Sequence, residues 1–171
     1  LEDLDFYDVN SKRDVFVYDR LTGVTRRVST SVDEAEQLFQ NSINPSISGD
    51  GRFVAFESSI SNFVASDTNE KIDVFVRNLE TGEMILRSSR PDGVQGNGAA
   101  SLPALSSDGR VVAFLSRATN LGTDGDSGLH VFAISTAPPA ASSVGELASL
   151  TTNLGALSPG FSPGVTNYAI D

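Results

Sequence analysis

Residues 45–56 run Pro45-Ser46-Ile47-Ser48-Gly49-Asp50-Gly51-Arg52-Phe53-Val54-Ala55-Phe56. They return 58 positions later as Pro103-Ala104-Leu105-Ser106-Ser107-Asp108-Gly109-Arg110-Val111-Val112-Ala113-Phe114. A second block, Asp14-Val15-Phe16-Val17-Tyr18-Asp19 followed by Thr22-Gly23, returns 59 positions later as Asp73-Val74-Phe75-Val76-Arg77-Asn78 followed by Thr81-Gly82. A weaker third copy stands at His130-Val131-Phe132-Ala133-Ile134. Self-similarity at a fixed period marks repeated supersecondary units, so it has to be read before any single element.

One complete unit covers residues 45–89 and predicts four short strands, at 45–48, 52–58, 73–79 and 83–88. Asp50-Gly51 and Thr81-Gly82 supply the turn chemistry of tight antiparallel hairpins. Phe53-Val54-Ala55-Phe56, Val74-Phe75-Val76 and Val111-Val112-Ala113-Phe114-Leu115 are apolar at every position, which requires cover on both faces of each sheet. Helices flanking a parallel sheet would give that cover, but the hairpin turns leave no room for the crossovers. Sheet packed on sheet remains. The fold class expected is therefore all-β: a partial β-propeller of four-stranded antiparallel blades, open or truncated. Residues 32–40 leave a short helical turn, an irregular loop and a strand all open.

Composition narrows the function classes. The 171 residues carry 22 Asp plus Glu against 12 Lys plus Arg, a formal charge of −10, with no cysteine and a single histidine. Disulfides, thiol nucleophiles and cysteine-ligated metals are excluded. Nucleic acid is not expected as a partner, because binding it needs concentrated Lys and Arg. No stretch approaches the roughly 18 apolar residues that cross a bilayer as a helix, so no transmembrane segment is expected. The sequence begins at Leu1, which leaves room for an export signal or a domain before it.

The block at 45–56, with Asp73-Val74-Phe75-Val76-Arg77-Asn78 and Thr81-Gly82, resembles the TolB-like propeller repeats, also called WD40-like or PD40 repeats. The resemblance covers roughly residues 5–136. It implies a binding or scaffold module of an exported bacterial protein, located extracellularly, at the cell surface or in the periplasm. Residues 137–145, rich in Pro and small side chains, read as a linker. Residues 146–171 resemble the start of a cadherin-like β-sandwich domain, with Leu147, Leu150, Leu157, Phe161 and Tyr168 at its apolar positions. The division expected is repeats over 1–136, linker over 137–145 and sandwich start over 146–171.

Three polar triads recur with the repeat: Asp8, Asn10 and Asp14; Asp67, Asn69 and Asp73; Asp124, Asp126 and His130. Oxygen ligands at alternate positions suit calcium, although the Gly and Glu that an EF-hand places at its sixth and twelfth positions are replaced by Ile72 and Asn78. The competing reading is that these residues cap a turn through bonds to nearby N–H groups. Calcium is the only cofactor the residues suggest, and no catalytic residue is expected. His130 lacks a second histidine for a common metal site, and Ser48 and Ser106 precede Asp-Gly turns as structural positions. Arg26, Arg27, Arg77, Arg87 and Arg90, interspersed with acids, read as a solvated surface.

The function expected is non-catalytic binding of a protein or glycan ligand at loop ends. A calcium-stabilised structural or adhesion segment and an accessory propeller of an exported hydrolase are the alternatives. Two and a fraction blades cannot close a ring, so exposed blades and self-association are expected.

Overall fold

The computed structural model describes residues 11–31, 40–122 and 125–136. The readings at 32–39, the linker at 137–145 and the sandwich start at 146–171 lie outside the described residues. Among the described residues nine strands run in order: β1 (Phe16–Tyr18), β2 (Thr25–Arg27), β3 (Ser42–Ile47), β4 (Phe53–Ser58), β5 (Asp73–Asn78), β6 (Met84–Leu86), β7 (Ala100–Leu105), β8 (Val111–Ser116) and β9 (His130–Ser135). They form three antiparallel sheets of sequential strands: β1-β2, β3-β4-β5-β6 and β7-β8-β9. The fold is all-β, with one complete four-stranded blade between two partial ones, and the described sheets do not close.

The hairpins follow from their turn residues. In the β3–β4 turn the Asp50 carboxylate accepts from the Ser48 hydroxyl at 2.6 Å and from Arg52 N–H at 3.0 Å, while Ser48 Oγ accepts from Phe53 N–H at 3.0 Å. The β7–β8 turn repeats every one of these bonds with Ser106, Asp108, Arg110 and Val111. Gly51 and Gly109 hold the left-handed φ that closes each turn, at +71° and +68°. Asp19 and Asn78 then cap the β1–β2 and β5–β6 turns, accepting from Leu21 and Glu80 N–H.

β3 begins three residues before the expected start, and the reason is a bulge. Ser42 and Ile43 pair with Ser58 and Glu57, then pairing resumes at Ser46 with Ala55, leaving Asn44 and Pro45 outside the ladder. β7 repeats this between Ser101 and Ala104. A bulge is where a proline, lacking an N–H, costs no ladder bond.

Cover of both faces holds for the complete blade. Val54, Phe56 and Phe75 face the first sheet and pack with Val15, Val28 and Phe63. Phe63 stands edge-on to Phe56 and Phe75, at 5.6 and 5.1 Å between ring centroids. Ala55, Val74 and Val76 face the third sheet and pack with Val112, Phe114 and Phe132. In β8, by contrast, only Val112, Phe114 and Ser116 are buried, and Val111, Ala113 and Leu115 are half-exposed. One face of the third sheet is thus uncovered among the described residues.

Candidate functional site

The topology sorts the connections by length. Tight turns at 48–52, 79–83 and 106–110 lie at one end of the sheets. The long connections 59–72, 87–99 and 117–129 lie at the other. These long loops touch: Asn120 Nδ2 donates to Gln95 O at 2.8 Å, and Asn69 Nδ2 donates to Gly96 O at 2.9 Å. Asn97 and Thr119 exchange two bonds of 2.8 Å.

At the centre of this loop end lies a seam around Gln95. Its Nε2 donates to Asp67 Oδ1 at 2.8 Å and to Asp73 Oδ2 at 3.3 Å, so one neutral amide bridges two carboxylates. Its Oε1 accepts from Thr68 N–H at 3.0 Å. Asp73 opens β5, and its Oδ1 accepts from the Ser88 hydroxyl, whose oxygen in turn accepts from Val74 N–H at 3.1 Å. Asp73 is fully buried and Asp67 is 7% exposed, and Asp67 Oδ2 is buried without a hydrogen bond.

The electrostatics follow from that burial. Loss of water pushes the Asp73 carboxyl up to about 6, against the Ser88 hydroxyl that favours the charged form, and the nearby Asp67 charge pushes the same way as burial. Burial likewise raises Asp67, opposed by the Gln95 amide and the Asn69 N–H. No Lys or Arg among the described residues pairs with either carboxylate.

The triads read from sequence divide. Asp67, Asn69 and Asp73 meet. Asn69 also caps its loop, accepting from Lys71 N–H at 2.7 Å around Glu70, whose φ is +56°. In the first repeat Asp14 occupies the position of Asp73 and keeps the serine, accepting from Ser29 Oγ at 2.7 Å, but adds an ion pair with Arg27 at 3.4 Å. In the third, Asp126 accepts from Gly128 N–H at 2.9 Å and lies 3.3 Å from His130 Nε2. Asp8, Asn10 and Asp124 lie outside the described residues. No group of three or more His, Cys, Asp or Glu among the described residues is arranged around a common metal position. The second triad offers two carboxylates and one amide instead, and Gln95 brings a second amide to it.

Two features escaped the sequence reading. Ser29 and Ser88 recur 59 positions apart, the same spacing as Asp14 and Asp73, and that shared offset was the available signal. Gln95 has a glutamine 58 positions before it, Gln37, at the offset of the Asp-Gly-Arg block, and that was its available signal. The arginines are a correction. Arg77 is half-buried and donates to Thr30 O at 3.2 Å, Arg87 donates to Thr136 O, and Arg27 holds Asp14, so these three tie loops and strands together. Arg26 and Arg90 are exposed as expected.

No protein-family model and no curated protein matches the chain. Solved structures do. The chain is similar to the tricorn protease, with 17% identity and a TM-score of 0.42 over 61% of this chain and 9% of that one. It is similar to a putative TolB from Agrobacterium tumefaciens, with 16% identity and a TM-score of 0.41 over 66% of this chain and 30% of that one. It is also similar to TolB from Acinetobacter baumannii, with 16% identity and a TM-score of 0.30 over 71% of this chain and 35% of that one. The chain thus spans about a third or less of these proteins.

Proposed function

We propose that the chain is a non-catalytic binding and scaffold segment of an exported bacterial protein, whose blades present the loops 59–72, 87–99 and 117–129 to a protein or glycan ligand. The observation that carries this is the division of labour between the two ends. At the hairpin end, recurring polar residues close their own turns, as Asp50 and Asp108 do. At the loop end Asp67, Asn69, Lys71 and Asp92 match residues 59 positions earlier, whereas Glu70 and Asn97 do not, and Glu70, Lys71, Asp92 and Asn97 are exposed. Repeated turns with variable loops on one face are how repeat architectures carry recognition. The acidic balance suits a ligand that is not polyanionic. The resemblance to TolB-like repeats supports export and a periplasmic or surface location, and the separate resemblance of residues 146–171 to a cadherin-like start is what supports a sandwich domain there.

The test is binding to arrays of glycans and of secreted proteins, with two sets of variants. Glu70→Ala, Lys71→Ala and Asp92→Ala together are expected to abolish binding, and Glu80→Ala with Arg110→Ala at the hairpin end to leave it unchanged. Loss with the hairpin variants and not with the loop variants overturns the proposal.

A further inference from the structure

The first and second repeats solve one problem in two ways. Both bury an aspartate at the start of a strand and give it the same serine, Ser29 for Asp14 and Ser88 for Asp73. The first then supplies a counterion, Arg27, directly opposite β1 residue Phe16. The residue opposite Phe75, at the same position of the second repeat, is Leu86. The second repeat thus omits the cation, and beside Asp73 it holds a second carboxylate, Asp67. A single neutral amide, Gln95 Nε2, stands between the two. Asp67 Oδ2, in a side chain more than nine-tenths buried, is left without a hydrogen bond. Buried carboxylates call for a paired charge or a metal, because neutral donors do not offset the loss of water for two anions.

We propose that Asp67 and Asp73 bind calcium at the loop end of the second sheet, where the ion does for the second repeat what Arg27 does for the first. Hard carboxylate oxygens select a hard cation, and calcium accepts the irregular six-to-eight oxygen sets that loops provide. The two carboxylates are the anionic ligands, with water completing the shell. Asn69 and Gln95 line the same seam. The ion would fasten the loop 59–72 to the connection 87–99 and so fix the third sheet against the second. This proposal stands independently of the binding function, since it concerns only how the loop end is held.

The test uses the full chain, with calcium titrated calorimetrically, terbium luminescence as a second probe, and thermal unfolding in calcium, magnesium or chelator. Calcium is expected to bind with a Kd of about 10⁻⁴ to 10⁻³ M, the range of extracellular modules, and to raise the unfolding temperature where equal magnesium does not. The isosteric variants Asp67→Asn and Asp73→Asn are expected to fold and to weaken binding about tenfold or more, as loss of a charged ligand does. Leu86→Arg, which installs the counterion of the first repeat, is expected to unfold at the same temperature in calcium and in chelator. Identical unfolding of the unaltered chain in calcium and chelator overturns the proposal. Wild-type affinity in Asp67→Asn, or an equal response to magnesium, also overturns it.

Discussion

Leu102 sits in the bulge of β7 at φ +52°, the same backbone state as Asn44 in β3. Asn tolerates the left-handed region because its short side chain bonds locally, whereas a leucine there costs about 1–2 kcal/mol. The strain is held by Glu57, whose buried Oε2 accepts from Leu102 N–H at 2.6 Å across the blades, and the leucine side chain is 57% exposed. Leu102→Asn therefore loses little packing and is expected to stabilise the chain by about 0.5–1 kcal/mol. That is a rise of about 2–4 °C in unfolding temperature, and an unchanged or lowered transition would refute the strain argument. Charge is tuned at the same scale. The Ser48 hydroxyl and Arg52 N–H hold the Asp50 carboxyl below its ordinary 3.8, and Arg110 N–H and the Ser106 hydroxyl do the same to Asp108. A depressed carboxylate contributes stability above its unfolded pKa and loses it as pH falls through the folded value. NMR of the side-chain carboxyl carbons is expected to show both residues titrating below 3.8, with Ser48→Ala moving Asp50 back toward it.

Two hairpin glycines that look alike in sequence differ at the scale of elements. Gly51 and Gly109 each close an Asp-Gly-Arg turn at left-handed φ. A Cβ on Gly51 would meet nothing within 4 Å, but one on Gly109 would stand 2.4 Å from Cδ2 of Phe53, which belongs to the neighbouring blade. Gly51→Ala is expected to cost about 1–2 kcal/mol for backbone alone. Gly109→Ala adds about 1–3 kcal/mol of overpacking, and Phe53→Leu is expected to recover part of that addition. Strict additivity in the urea unfolding of the double variant would show that the glycine does not report on blade contact. The contrast also marks what the sequence could reveal. Turns, strands and period were legible because Asp-Gly, Thr-Gly and the apolar runs act locally and recur. The bulge was not, since Leu102 carries no composition cue for positive φ. Asp67 and Asp73 were legible as a recurring pair, but their partner Gln95 lies 22 residues beyond Asp73 in a poorly matched connection, and no local rule brings it to them.

Repeat symmetry states which sheet face is left uncovered among the described residues. Val74 pairs with Glu57 across β5 and β4, and Val131 pairs with Leu115 across β9 and β8, so the two valines hold the same place on the same face. Val74 is fully buried beneath the third sheet, whereas Val131 is 55% exposed. Val111, Ala113, Leu115 and Ala133 share that face and are half-exposed. An apolar sheet face that its own repeat covers elsewhere drives association when it meets water. Sedimentation of the chain is expected to show a mass that rises with concentration. Val131→Lys is expected to lower that association while changing stability by less than about 0.5 kcal/mol, as surface substitutions do. Val74→Lys is expected to prevent folding, because the ammonium would be buried without a partner. The pair separates position in the repeat from position in the assembly: one residue type, one place in the blade, and opposite outcomes set only by whether a neighbouring sheet lies on top. Equal destabilisation by the two substitutions would mean that the face carrying Val131 is covered in solution. A wild-type mass independent of concentration would mean that its exposure is not what limits the chain's solution behaviour.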